Sequence, residues 1–177
     1  MADTAHATRH DDAESVDKLR EMITDIRIAM VTTEGRDGAM HSRPMHLQEA
    51  ESGGDLWFAT SMSSALVQEL REDARMLVTF AEPGSNRYAV VRGEGRVERD
   101  MEKIQELWNP SLQTWFPNGP TDPDLTLIHV KAKEGDYWDA PSGPARLVKF
   151  VAGFLGGSRP DGGERVKVDL GAHTQRS

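Results

Sequence analysis

The alternation of short β-prone runs with clusters of turn-forming residues is the feature that most constrains the fold of this chain. Residues 28–33, 56–60 and 75–80 are rich in apolar and β-branched side chains, and a cluster rich in Gly, Pro, Ser, Asn or Asp closely follows each run. Runs of this kind are typical of antiparallel barrels and sandwiches. Helical stretches interrupt them irregularly, which disfavours a repeating βαβ pattern. The sequence therefore predicts a mainly β, α+β fold, a small β-barrel with helices.

The remaining elements follow from changes in the hydrophobic period. Further strands are predicted over residues 40–47, 88–97, 125–132 and 136–138. Helices are predicted over residues 15–26, 63–71, 100–108 and 145–155. Gly93 and Gly95 fall inside one long strand and predict a bulge or a sharp bend, as barrel corners require.

The length of 177 residues fits a single domain. Residues 1–13 are small and polar, and we expect them to form a disordered N-terminal tail. Residues 14–155 are expected to form the domain itself. Residues 156–177 begin with a glycine-rich stretch and are expected to form a flexible C-terminal tail.

Composition excludes several classes of function. The chain has no cysteine, so disulfides, thiol catalysis and zinc–thiolate sites are excluded. Its formal net charge of −8 repels nucleic-acid phosphates, so we expect no nucleic-acid partner. No apolar run approaches the ~18 residues of a membrane helix. The polar N-terminus lacks the apolar core of a signal peptide, so a cytoplasmic location is expected.

The sequence offers no convincing metal site, nucleophile or dinucleotide fingerprint. His41 and His46 are five residues apart on a predicted strand, which puts them on opposite faces. Residues 122–124 indicate a turn rather than a calcium loop. No Gly-x-Ser-x-Gly elbow is present, and residues 93–95 lack the third glycine of a dinucleotide site. We therefore predict no metal and name no catalytic residue.

Two short segments can form an anion site. In residues 42–44 a permanent cation, Arg43, stands beside a proline that cannot donate to a strand ladder. In residues 60–64 four hydroxyl side chains lie between a strand end and a helix start, where free N–H groups and the helix dipole favour an anion. Simple helix capping by Ser63 or Ser64 explains the second segment equally well. The chain has four tryptophans: Trp57, Trp108, Trp115 and Trp138. Tryptophans usually lie in the core or at an interface, and the alternative here is that they flank a flat aromatic ligand.

A series of short motifs resembles the general stress protein 26 family, a bacterial branch of the pyridoxamine 5′-phosphate oxidase-like proteins. The motifs are Ser42-Arg-Pro-Met45, Asp55-Leu-Trp-Phe58, Asn86-Arg-Tyr88, Leu107-Trp-Asn-Pro110, Trp115-Phe-Pro117, Gly119-Pro-Thr-Asp-Pro-Asp-Leu125 and Tyr137-Trp-Asp139. The resemblance covers residues 23–139 and the closing residues 167–170. The order and spacing of the motifs carry it, because each motif alone is weak.

The resemblance implies a split β-barrel that forms a homodimer, with two flavin mononucleotide (FMN) sites at the dimer interface. It also implies a role in stress responses, but no known substrate or reaction. The residues that match the family's cofactor contacts are Arg43 at the ribityl-phosphate end, Pro44 and Met45 along the isoalloxazine, Thr60, Ser61 and Ser64 around the phosphate, and Trp138 reaching the site from the second subunit.

One departure from the family leaves two hypotheses open. The family usually has a lysine two residues after the serine that matches Ser64, but this chain has Leu66 there, preceded by Ala65. The first hypothesis is an FMN-binding stress protein, an oxidoreductase of unknown substrate, in which Leu66 lies beside the phosphate and another cation such as Arg87 assists. The second, which the missing lysine favours, is a non-enzymatic dimer whose FMN site is degraded by Leu66. It binds another phosphorylated or flat ligand, such as pyridoxal phosphate or a deazaflavin, or scaffolds a partner.

Overall fold

The computed structural model describes residues 8–10, 13–139 and 165–171. The strands are β1 Thr8–His10, β2 Ile28–Glu34, β3 Met40–Ala50, β4 Leu56–Ser61, β5 Arg75–Glu82, β6 Arg87–Glu98, β7 Leu125–Asp139 and β8 Arg165–Asp169. The helices are α1 Ala13–Ile26, α2 Ala65–Glu72, α3 Met101–Leu107 and α4 Pro110–Trp115, followed by a 3₁₀ turn over Gly119–Thr121.

Six antiparallel strands close into a barrel in the order β7-β4-β3-β2-β5-β6, because β6 pairs back onto β7. The long strand β7 also pairs with β8 through its C-terminal half, and β1 joins β8 in parallel. This closed barrel with flanking helices confirms the predicted fold class. No helix in the described part of the chain combines the length and apolarity needed to cross a bilayer.

Alternating side chains on the strands fill the barrel. On β2, Ala29, Val31 and Thr33 are buried, whereas Ile28 and Met30 face outward and are exposed. The period of two follows from the pleat of a strand and accounts for this division. Helix α1 packs one apolar stripe on the same core, and α2 contributes Leu66, Val67 and Leu70 as predicted. A second apolar cluster joins β4, β7, α3 and α4: Trp57, Ile104, Leu112, Phe116, Leu125 and Leu127.

The barrel is split between β3 and β4. These strands pair only between residues 47–50 of β3 and residues 56–58 of β4, with a register shift between Leu47 and Glu49. Further along, residues 43–46 of β3 still pair with β2 but no longer pair with β4. Pro44 lies in this stretch, where its missing N–H costs no bond to β4. The divergence of the two strands opens the side of the barrel.

The bulge predicted around the strand glycines is confirmed. The register between β6 and β7 shifts at Gly93, where Arg92 pairs with Glu134 but Gly93 pairs with Ala132. A Cβ atom at position 93 would come within 2.2 Å of the Lys131 carbonyl oxygen. Glycine therefore permits the close backbone approach at this corner.

Two sequence expectations differ from the structure, and the structure does not test a third. The predicted tails contain two strands, β1 and β8, and β8 is held by burial of Val168 and by its ladder to β7. The helix predicted over residues 100–108 stops at Leu107, and Asn109, expected only to end it, caps a separate helix, α4, with Pro110 in its first turn. The helix predicted over residues 145–155 lies outside the described residues.

Candidate functional site

A cavity of about 710 Å³ lies where β3 and β4 diverge. The N-terminal turn of α2, helix α4 and the loop before β7 complete its wall. The lining residues are Ile28, Arg43, Pro44, Met45, His46, Gln48, Ala59, Thr60, Ser61, Ser64, Ala65, Leu66, Ser111, Leu112, Trp115, Phe116, Asp122 and Asp124. The volume lies within the range of small-molecule and cofactor sites, about 300–1,000 Å³.

Seven of the eight residues predicted for the site line this one cavity: Arg43, Pro44, Met45, Thr60, Ser61, Ser64 and Leu66. The eighth, Trp138, lies on β7 opposite Tyr88, with the Arg165 guanidinium 5.4 Å from its ring centroid. Within a single chain Trp138 does not line the cavity. Arg87, the alternative cation, also lies outside it and forms ion pairs with Glu82 and Asp25.

One part of the cavity wall is apolar. Pro44 and Met45 of β3 face it together with Leu112 and Phe116 of the second apolar cluster. Trp115 stands at the cavity with 78% of its surface exposed. This wall suits a planar aromatic ligand, because it offers apolar contact area and few competing polar groups.

The hydroxyl groups at the α2 end are already engaged within the chain. The Ser64 hydroxyl accepts a hydrogen bond from the Val67 amide at 3.3 Å and caps α2. The Thr60 hydroxyl donates to the Ser64 hydroxyl at 3.3 Å. Capping, one of the two interpretations of this segment, is therefore what Ser64 does in the structure.

A carboxylate that sequence reasoning missed binds the middle of the same segment. The Ser61 hydroxyl donates to the Asp124 carboxylate, and the Ser63 amide donates to its other oxygen at 3.1 Å. The Ser63 hydroxyl donates at 3.3 Å to the same carboxylate oxygen as Ser61, and the Met62 amide donates to the Asp124 carbonyl at 2.6 Å. Asp124 lies about sixty residues away along the chain, so no local spacing signals the contact. Residues 122–124 do form a turn, as predicted, but the turn brings an anion to the cavity.

The guanidinium of Arg43 is tied to a buried acid. Its Nη2 donates to Glu69 Oε2 at 2.7 Å and its Nη1 donates to Thr33 Oγ1 at 2.7 Å. Thr33 in turn donates to Glu69 at 2.6 Å, and His41 Nδ1 lies 2.6 Å from the other Glu69 oxygen. Burial by itself raises the pKa of Glu69, but hydrogen bonds from Thr33, His41 and Arg43 outweigh it and hold that pKa below 4.5. Glu69 is therefore ionised at neutral pH and matches the charge of Arg43.

Leu66 belongs to the core as well as to the cavity wall. Its side chain is 2% exposed and packs in the same apolar cluster as Val67 and Leu70. Ala65, just before it, is exposed. Leu66 therefore supplies apolar packing at the position where the family usually has a lysine.

A second polar cluster lies away from the cavity, on β4 and β7. His129 stacks on Trp57 with ring centroids 4.2 Å apart, and its Nε2 lies 3.2 Å from Asp55 Oδ2. Asp55 also accepts hydrogen bonds from Lys131 at 3.1 Å and from the Ala132 amide at 2.9 Å. The hydrogen bond to Asp55 raises the pKa of His129 above 6.5 despite its burial. The charged groups of this cluster therefore already have partners within the chain.

The six-stranded barrel, with a cavity of small-molecule size where β3 and β4 diverge, defines the class of the protein as a split β-barrel. The model of the family described as pyridoxamine 5′-phosphate oxidase like matches residues 14–161, and the chain belongs to this family. The resemblance inferred from the motifs is thereby confirmed.

Solved structures and a curated relative support the same assignment. The general stress FMN/FAD binding protein of Xanthomonas citri is 31% identical, with a TM-score of 0.66 over 75% of this chain and 93% of that one. A candidate general stress protein 26 from Jannaschia sp. CCS1 shares the fold at 21% identity, with a TM-score of 0.71 over 89% of this chain and 99% of that one. Protein bli-3 of Neurospora crassa is 29% identical over 70% of this chain, and the match spans 64% of bli-3.

Proposed function

We propose that this protein binds a flavin in the cavity at the split. One observation carries the proposal: residues 43–45 and residues 60, 61 and 64–66, which come from separate segments of the chain, line a single cavity of about 710 Å³. The isoalloxazine would lie along the β3 segment, and the ribityl chain would extend to the junction of β4 and α2. The flavin-binding description of the Xanthomonas citri relative, 31% identical to this chain, adds support.

The residues present fit the ring half of a flavin. Pro44 and Met45 offer apolar contact along one wall, and Leu112 and Phe116 exclude water from the side of α4. A bound flavin would supply hydride or single-electron transfer to a substrate, so an oxidoreductase function belongs to this proposal. The side chains position and desolvate the ring, and no acid or base role is assigned to them.

Filling the cavity tests the proposal directly. Ala59 lines the cavity on β4, so Ala59→Trp should abolish flavin binding by occupying the space of the ring. Ala81→Trp, at an exposed position of β5, is the matched control and should bind like the parent. Binding is read from the flavin absorbance of protein purified without added cofactor and from fluorescence quenching on titration. A colourless parent that quenches neither riboflavin nor FMN contradicts the proposal.

We further propose that two copies of the chain cover the cavity. The outer face of β2 and β3 is apolar and exposed at Ile28, Met30 and Met40, and it continues to Trp115 beside the cavity. Exposed apolar surface adjoining a ligand cavity is typical of an interaction site. In a homodimer, Trp138 of the partner subunit is the residue we expect to complete the site.

Light scattering tests the dimer. Met30→Lys places a charge in the middle of this face and should yield a monomer, because an unpaired charge at an interface core costs several kcal/mol. Met101→Lys, at an exposed methionine of α3, is the control and should leave the parent mass unchanged. If the unmutated protein has the mass of a monomer throughout the micromolar concentration range, the proposal of a site shared between two subunits is wrong.

A second candidate function is the non-enzymatic binding of another flat ligand. The observation that favours it is the wall at the α2 end, where Leu66 and Asp124 stand and no lysine lines the cavity within the described residues. The same observation weighs against pyridoxal phosphate, since its phosphate needs a cation as FMN does. A deazaflavin remains the alternative ligand. Titration with it, compared with riboflavin, separates the two candidates.

A further inference from the structure

The subsite where a cofactor phosphate is expected already contains an anion that belongs to the chain. The Asp124 carboxylate accepts hydrogen bonds from the Ser61 hydroxyl and from the Ser63 amide at 3.1 Å, and the Ser63 hydroxyl lies 3.3 Å from it. Hydroxyl and amide donors at the start of a helix are the groups that bind a phosphate. Here the Ser61 and Ser63 donors are occupied by a side chain about sixty residues away along the chain.

The charged residues around this subsite also leave it with an excess of negative charge. Two carboxylates, Asp122 and Asp124, line the cavity. The lining cation, Arg43, is matched by Glu69 at 2.7 Å. Arg71 reaches the junction only through the Met62 sulfur at 3.7 Å and does not line the cavity. Among the described lining residues, the cavity therefore has more negative than positive charge, before any ligand enters.

A phosphate ester is poorly suited to this surrounding. It carries a charge of about −1.5 to −2 at neutral pH, so it would face Asp124 without an uncompensated cation. Like charges brought together in a partly buried site cost several kcal/mol. A hydroxyl group has no such penalty, because it can donate to a carboxylate and accept from a serine or threonine hydroxyl.

We propose that the cavity selects flavins whose ribityl chain ends in a hydroxyl over flavins that end in a phosphate, with Asp124 as the residue that determines this specificity. The ring half of the site accepts both ligands alike. The proposal rests on the flavin binding proposed above, and it makes riboflavin the preferred ligand. The anion of Asp124 substitutes for the phosphate in holding the junction of β4 and α2.

Titration of the full chain with riboflavin and with FMN, at low and at high salt, tests the proposal. The parent should bind riboflavin at least about tenfold more tightly than FMN, in line with one unfavourable charge contact. Its affinity for FMN should rise with salt, since screening weakens a repulsion. Riboflavin affinity should not change with salt. These readouts require no variant and no catalytic assay.

Two variants test whether the charge of Asp124 causes the preference for riboflavin. Asp124→Asn keeps the shape of the side chain and removes its charge, so the preference for riboflavin should fall to within about threefold as the repulsion disappears. Asp17→Asn changes the net charge equally at an exposed position of α1 and should preserve the parent's preference.

The outcomes are distinguishable. Tighter binding of FMN than of riboflavin, weakened by salt, would overturn the proposal, because it would reveal a cation that binds the phosphate. An unchanged preference in a folded Asp124→Asn protein would also overturn it. If neither flavin binds the parent, the proposed function itself fails and the specificity fails with it. If the variant does not fold, the salt response of the parent still decides.

Discussion

Replacing Glu69 with glutamine should weaken the fold and, at the same time, make the cavity more favourable to a phosphate. Glu69 is 7% exposed, and its carboxylate holds Arg43 at 2.7 Å and Thr33 at 2.6 Å. Glu69→Gln preserves the volume, and its amide oxygen can still accept from Arg43 and Thr33 while its NH₂ faces His41 Nδ1. The amide carries no charge, however, so the Arg43 charge loses its ionic partner.

The magnitude follows from these contacts. A hydrogen bond between charged partners contributes about 1.5–3 kcal/mol, and Arg43, with 25% of its side chain exposed, recovers part of the loss by hydration. We expect a loss of about 2 kcal/mol in the free energy of unfolding. For a chain of this size each kcal/mol lowers Tm by about 2–4 °C, so Tm should fall by roughly 4–8 °C at neutral pH.

Thermal unfolding by circular dichroism measures the effect, and pH provides an internal check. Because the pKa of folded Glu69 lies below 4.5, its stabilising effect is complete above that pH and is lost as pH falls through the folded pKa. The difference in Tm between parent and variant should therefore shrink in acid. Glu72→Gln, on the same helix, is the control, since Glu72 pairs with the exposed Arg36 and should change stability by less than about 0.5 kcal/mol.

The second measurement on Glu69→Gln is the affinity for FMN, which should increase although the stability of the fold decreases. With Glu69 neutralised, Arg43 presents an uncompensated charge to the cavity, so FMN affinity should rise several-fold while riboflavin affinity stays level. An unchanged Tm in Glu69→Gln would refute the idea that the Arg43 ion pair stabilises the fold. A lower Tm with no gain in FMN affinity would refute the argument that Glu69 cancels the charge of Arg43.

Two further predictions concern the barrel. The charged form of His129 stabilises the fold through Asp55, so its contribution to stability should be complete below pH 6.5 and be lost as pH rises through the raised pKa of His129. His129→Gln, followed by thermal unfolding from pH 6 to alkaline pH, should lack this decline. Gly93→Ala should cost about 1–3 kcal/mol in denaturant unfolding, because its methyl group meets the Lys131 carbonyl oxygen at 2.2 Å. Gly84→Ala, with nothing within 4 Å of the added Cβ, is its control, and equal effects of the two would contradict the close-contact argument.

Local features of this chain follow from the order of its residues alone. The period of two in β2 and the stripe of α1 depend on neighbours a few residues apart, and backbone geometry turns such spacing into faces. The capping of α2 by Ser64 and of α3 by Asp100 follows from the same local rules. The motif series then indicates the family, and with it the two segments that line the cavity.

The partners of those segments depended on tertiary structure. Asp124 reaches the Ser61 hydroxyl across about sixty residues, and Glu69 reaches Arg43 across 26, so no sequence window contains either pair. The same limit applies to Leu66, whose helical position is evident from sequence but whose burial depends on how α2 lies against the barrel. The sequence by itself determined the barrel strands, the caps of α2 and α3 and the two segments, residues 43–45 and 60–66, that reach the cavity. Only the closure of the barrel decided which charges meet there, because electrostatic contacts depend on distance in space and not along the chain.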